Sequence, residues 1–131
     1  MLTVALVLAA LAALLHVYIF ALEALAWNTP RGRATFGTTR EQARATQELA
    51  YNQGFYNLFL ALVTTVGVVL MAASTGPAGA GPALIYAGAG SMLLAAVVLV
   101  TKNRAMARAA VVQGTAPALA LTLLTVVLLM N

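Results

Sequence analysis

The stretch that decides the fold is NQGFYNLFLALVTTVGVVLMAA, residues 52–73. Its apolar part, beginning after Asn57, is short for a bilayer crossing, which takes about 20 residues over a hydrocarbon core of about 30 Å. The amide-rich opening NQGFYN therefore belongs to the same helix and carries its amides into the membrane. Hydrocarbon supplies no partner for such groups, so the side bearing Asn52, Gln53, Tyr56 and Asn57 is expected to face protein. At about 100° per residue these four cover an arc of about 140°, wider than a stripe but still one side.

Working outward, the whole chain has the composition of that stretch. Hydrophobic residues make up 63% and charged residues 8%, with a mean hydropathy of +0.95, far from an ordinary soluble domain. The expected fold class is an all-α membrane protein, a bundle of four transmembrane helices at about 2–27, 46–73, 82–101 and 107–129, forming a single membrane domain over residues 1–131. The first apolar run reads as a span that stays rather than as a cleaved leader, because it lacks a basic start and is too long. With no cysteine, disulfides and thiolate chemistry are excluded.

The net charge of +4 is explained by topology rather than by a nucleic-acid partner. Arg31, Arg33, Arg40 and Arg44 lie between the first and second spans, and Lys102, Arg104 and Arg108 between the third and fourth. The connection STGPAGAGP between the second and third is uncharged. The positive-inside rule then puts loops 28–45 and 102–106 in the cytoplasm and both termini outside, an N-out/C-out protein of the bacterial inner (plasma) membrane. In the first loop, Thr38 followed by Glu41 fits a capping box, so the second helix is expected to begin near residue 39 and run on through NQGFYN.

Helix contacts within lipid depend on small residues and interhelical hydrogen bonds. AGAGS at 87–91 suits close approach of the third helix, and Ala116 with Ala120 that of the fourth. A homo-oligomer through the Gly/Ala face of the third helix is left open.

On the first helix, His16, Phe20, Glu23 and Trp27 fall within about 60° of one another. On the fourth, Gln113 precedes Pro117 by four residues, so its carbonyl loses the N–H that would have bonded it. The alternating direction of the spans brings His16, Glu23, Trp27, the NQGFYN set and Gln113 to one level, in the cytoplasmic half. Buried amides often serve only as interhelical glue; a carboxyl and an imidazole inside spans are expensive and point to a working site. Glu23 and His16 are accordingly the candidate catalytic acid/base pair. Asn52, Gln53, Tyr56, Asn57 and Gln113 are candidates to orient a ligand, and Trp27 to wall the mouth. Tyr18, Tyr51 and Tyr86 read as interfacial aromatics. One histidine, one buried carboxylate and no cysteine fall short of a metal site, and no cofactor fingerprint is present.

The pattern of His16, Glu23 and Trp27, then Phe36-Gly37, NQGFYN, and Gln113 with Pro117-Ala118, resembles the bacterial membrane-protein family called domain of unknown function thirteen-zero-four, over essentially the whole chain. The resemblance implies a small four-helix membrane protein with these as signature positions. Members are sometimes labelled epimerase, which implies isomerase-type chemistry without naming a substrate. Three function classes follow from the residues: a binding protein or isomerase with a cytoplasm-facing pocket for a small amphipathic molecule or lipid, a small proton-coupled transporter, and an accessory subunit of a membrane complex with the amides as glue.

Overall fold

The computed structural model describes residues 1–130, and among them there are helices and turns but no strands. Four helices are long and apolar enough to cross a membrane: Leu2–Leu25, Gln47–Ala72, Ala80–Lys102 and Arg104–Leu129. The architecture is that of a multi-pass membrane protein. Helix α1 spans Leu2–Phe20 and ends in a wide π turn, Ala21–Leu25. Two short helices follow, α2 at Pro30–Phe36 and α3 at Arg40–Ala45. Helices α4 (Gln47–Ala72), α5 (Ala80–Lys102) and α6 (Ala107–Leu129) complete the chain, α6 being preceded by a 3-10 turn at Arg104–Met106.

The long helices pack in the cyclic order α1, α4, α5, α6, each antiparallel to the next. All seven cations therefore gather at one end of the bundle, with α2 and α3.

The packing is inverted relative to a soluble bundle. Large apolar side chains such as Leu14, Leu62, Leu94, Val98 and Val111 are exposed, as lipid-facing residues are, while small ones fill the interior. On α1 the buried positions are Ala5, Ala9, Ala12, Ala13 and His16, an alanine stripe at helical spacing that His16 continues. One cluster joins Ala5 and Ala9 to Ile85, Ala89, Ala120 and Leu124; a second joins Ala12 and Ala13 to Ala61 and Met92. Glycines set the closest approaches. A Cβ at Gly88 would collide with Thr64 Oγ1 and lie 3.0 Å from the Leu60 carbonyl oxygen. The AGAGS face is thus used between α5 and α4 at Gly88, whereas Gly90 faces open space. Several threonine hydroxyls within the spans are satisfied by their own helix: Thr64 donates to the Leu60 carbonyl (2.9 Å), Thr65 to Ala61 (2.8 Å) and Thr122 to Ala118 (2.9 Å), a local solution that needs no partner from lipid.

The first loop differs from the sequence expectation. Thr39, not Thr38, is the N-cap: its Oγ1 accepts from Gln42 N (3.2 Å) while Gln42 Oε1 accepts from Thr39 N (2.9 Å), so the box closes one residue later and with Gln42 in place of Glu41. The helix it opens stops at Thr46, where the backbone leaves helical geometry (φ −111°, ψ 8°), and α4 starts anew. Helix α2 was also encoded. Thr29 caps it by accepting from Gly32 N (3.1 Å), Pro30 occupies its first turn, and Gly37 ends it in the left-handed conformation (φ 65°), the usual proline-first, glycine-last asymmetry. Gly32 is buried against the backbone of Ala26, where a Cβ would strike the carbonyl oxygen.

Trp27 lies beyond the π turn and outside α1, so it does not extend the stripe of that helix. It fastens the loop instead. Its ring packs on Phe36 at 4.9 Å between centroids, and its Nε1–H donates to the Ala43 carbonyl at 3.0 Å, tying α2 to α3. Trp27→Phe keeps an aromatic surface and removes the donor. Amide exchange over residues 40–45 is expected to rise about tenfold, the equivalent of one net hydrogen bond, with bundle stability little changed. Unchanged exchange in hydrogen–deuterium mass spectrometry would show that the indole N–H does not hold α3.

Candidate functional site

At the cation-bearing end the interior opens into a cavity of about 590 Å³, within the size range of small-molecule sites. Helix α1 and its π turn supply Leu15, His16, Ile19, Leu22 and Glu23; α4 supplies Gln53 and Asn57; α6 supplies Ala109, Val112 and Gln113. Ala95 and Leu99 of α5 close the far wall, and Tyr18, Phe36, Met106 and Arg108 also line it. The walls are mostly apolar, with a few polar groups from three different helices converging on one space.

Each polar group has a local structural cause. His16 is 1% exposed, and its Nδ1 lies 2.9 Å from the Ala12 carbonyl oxygen one turn earlier. Glu23 sits in the π turn, where α4 comes closest: a Cβ at Gly54 would be 3.0 Å from Ala24 N and 3.2 Å from Glu23 Cβ. Single π turns inside helices recur at functional sites. The close approach brings Asn57, one turn beyond Gln53, onto the carboxyl: Asn57 Nδ2 donates to Glu23 Oε2 at 2.8 Å and to the Gln53 carbonyl at 3.2 Å. The partner of Glu23 is thus an amide of α4 and not an arginine of the first loop. The Gln113 side chain lines the cavity without a hydrogen-bond partner among the described residues.

Of the residues singled out in the sequence, His16, Glu23, Gln53, Asn57 and Gln113 come together around this cavity. Asn52, Tyr56 and Trp27 do not line it. On α4, residues 53 and 57 form one i, i+4 row and 52 and 56 the next, rotated by about 100°. Only the first row reaches the cavity; Gln53 lines it while remaining exposed, as Asn52 and Tyr56 are, so the arc read as one side is split by the helix surface. Trp27 does not wall the cavity but braces Phe36, which does. Tyr18 and Arg108 were not anticipated as lining residues. Arg108 stands one turn before Val112 on α6, a helical spacing visible in the sequence but read there only as a topology charge. Tyr18 is exposed and binds Arg31 through its hydroxyl (3.0 Å), with the guanidinium also over its ring at 5.7 Å. No group of three His, Cys, Asp or Glu side chains comes together among the described residues to hold a metal ion.

A family model matches residues 10–125, and its description is "Protein of unknown function (DUF1304)". No curated protein and no solved structure matches the chain.

Proposed function

The chain belongs to the DUF1304 family, whose description assigns no activity, and on the strength of its cavity we propose that it is a single-domain protein that binds a small amphipathic molecule or lipid between its helices. The observation that carries this reading is the convergence of His16, Glu23, Gln53, Asn57 and Gln113, from three helices, on one otherwise apolar space of about 590 Å³. A ligand with an apolar body and one polar group matches such a lining. The gathering of the cations at that end supports, through the positive-inside rule, an opening toward the cytoplasm in the bacterial inner membrane, with both termini outside.

Within the site, Gln53, Asn57 and Gln113 orient the polar group of the ligand. Glu23 and His16 form the proton-transferring pair for isomerase-type chemistry, in which one takes a proton and the other returns one, with no net oxidation. The packed clusters around Met92 and around Ile85 and Leu124 lie between this cavity and the opposite end. That packing favours a binding site or enzyme over a transporter.

Native mass spectrometry of gently solubilised wild type beside a Glu23→Gln, His16→Ala double mutant tests the reading. A defined adduct mass on the wild type, absent from an equally folded double mutant, is expected. Wild type and mutant both bare would move the assignment to an accessory subunit whose amides only join helices.

A further inference from the structure

The reading of the cavity as a ligand site can be deepened, because the hydrogen-bonding state of its lining selects the kind of polar group it takes. His16 is the single histidine of the chain and is almost fully buried, yet it lines the cavity. Its Nδ1 faces the Ala12 carbonyl oxygen, which can only accept, so Nδ1 carries the ring proton. In the neutral imidazole Nε2 is then a bare acceptor, and no donor among the described residues meets it. Asn57 is committed in the same sense. Its Nδ2 donates to Glu23 Oε2 and to the Gln53 carbonyl, which occupies both amide hydrogens and leaves only Oδ1 for a ligand. The second oxygen of Glu23 has no partner among the described residues. His16, Glu23 and Asn57 therefore turn unpaired acceptors toward the cavity, where the donor of a bound ligand can take the place of water.

Two donors of ordinary chemistry qualify, a hydroxyl and an ammonium, and charge decides between them. Arg108 is part of the lining, and Arg31 is held on Tyr18, another lining residue. The remaining cations flank the same end of the bundle. A cationic head group would enter against this field; a hydroxyl would not.

We infer that the cavity takes an amphipathic alcohol, whose O–H donates to His16 Nε2 while its hydrocarbon part lies along Leu15, Ile19, Leu22 and Leu99. The inference rests on the ligand-site reading, and a matched set of probes separates the failure of one from the failure of the other.

The probes are decanol, decyl methyl ether and decylamine, added to the full chain in lipid nanodiscs at equal bilayer content. Occupancy is read by native mass spectrometry and the imidazole by ¹⁵N NMR of histidine-labelled protein, in which one residue gives the whole signal. The free protein is expected to show the Nδ1–H tautomer. Decanol should shift the Nε2 resonance in the direction of an accepted hydrogen bond, and its occupancy should exceed that of the ether by about tenfold, the worth of one net hydrogen bond. His16→Phe should bring the two to near equality. Should that variant not fold, the tautomer and the Nε2 shift in the wild type decide the matter alone. Equal occupancy of ether and alcohol, preference for the amine, or the opposite tautomer would each overturn the alcohol assignment while leaving a ligand site in place. Exclusion of all three probes would overturn both.

Discussion

Gly67→Ala is expected to destabilise the bundle by about 2 kcal/mol, although the same substitution ordinarily favours a helix by up to about 1 kcal/mol. Gly67 lies on α4 at its contact with α5. A Cβ there would fall 2.8 Å from the Gly81 carbonyl oxygen, 2.9 Å from Ile85 N and 2.8 Å from Ile85 Cγ1. Two of these three atoms are backbone, so no side-chain rotation relieves the clash. The helices must move apart, and both Gly81 and Ile85 are buried. Separation also loosens the cluster that Ile85 shares with Ala89, Ala120 and Leu124. Because lipid offers no hydrophobic drive to hold helices together, the loss of close backbone contact is not offset by burial elsewhere. Gly90→Ala is the control: it sits on α5 with nothing within 4 Å of the added Cβ, so helix propensity alone acts and stability is unchanged or slightly raised. Reversible unfolding in mixed micelles compares the two. Equal midpoints would mean that the α4/α5 contact is not set by glycine.

The four-span architecture was legible because hydropathy acts at the scale of a whole helix and lipid permits few alternatives. The depth of the polar groups was equally legible, since alternating span direction is fixed by connectivity and brings His16, Glu23, Gln53, Asn57 and Gln113 to one level without knowledge of packing. What failed was rotation. Extrapolating about 100° per residue across the end of α1 placed Trp27 on the stripe of Glu23, but the π turn at Ala21–Leu25 changes the angular step, and the chain has left the helix by residue 26. On α4 the cavity-lining row of Gln53 and Asn57 could not be told from the adjacent row of Asn52 and Tyr56, because both are polar and only the approach of α1 at Gly54 selects one. The thirty-ninth residue rather than the thirty-eighth capped α3 for a similar reason: adjacent threonines offer two registers, and Trp27 holding the Ala43 carbonyl belongs to the register the fold adopts. Helix α2, by contrast, carried its full signature in Thr29, Pro30 and Gly37.

Whether Glu23 is a working group or one more interhelical tie is decided by the strength of its bond to Asn57. Interhelical hydrogen bonds within spans average about 0.6 kcal/mol, since each partner finds substitutes when the bundle opens. A hydrogen bond to a charged group is worth about 1.5–3 kcal/mol. The two cases therefore separate in a double-mutant cycle of Asn57→Leu and Glu23→Met, two apolar replacements of similar size. Asn57→Leu alone is expected to cost about 2 kcal/mol, because it removes the donor 2.8 Å from Glu23 Oε2 and leaves the carboxyl without the partner α4 provides. In the Glu23→Met background the same change should cost much less, since no carboxyl remains to be stranded. The expected coupling is at least about 1.5 kcal/mol, measured as the difference between the two costs in the same micelle system. A coupling near 0.6 kcal/mol would make the pair ordinary glue and remove Glu23 from the proton-transferring role. A large coupling would mean that α4 holds a charged carboxylate in place across the helix interface, at the wall of the cavity.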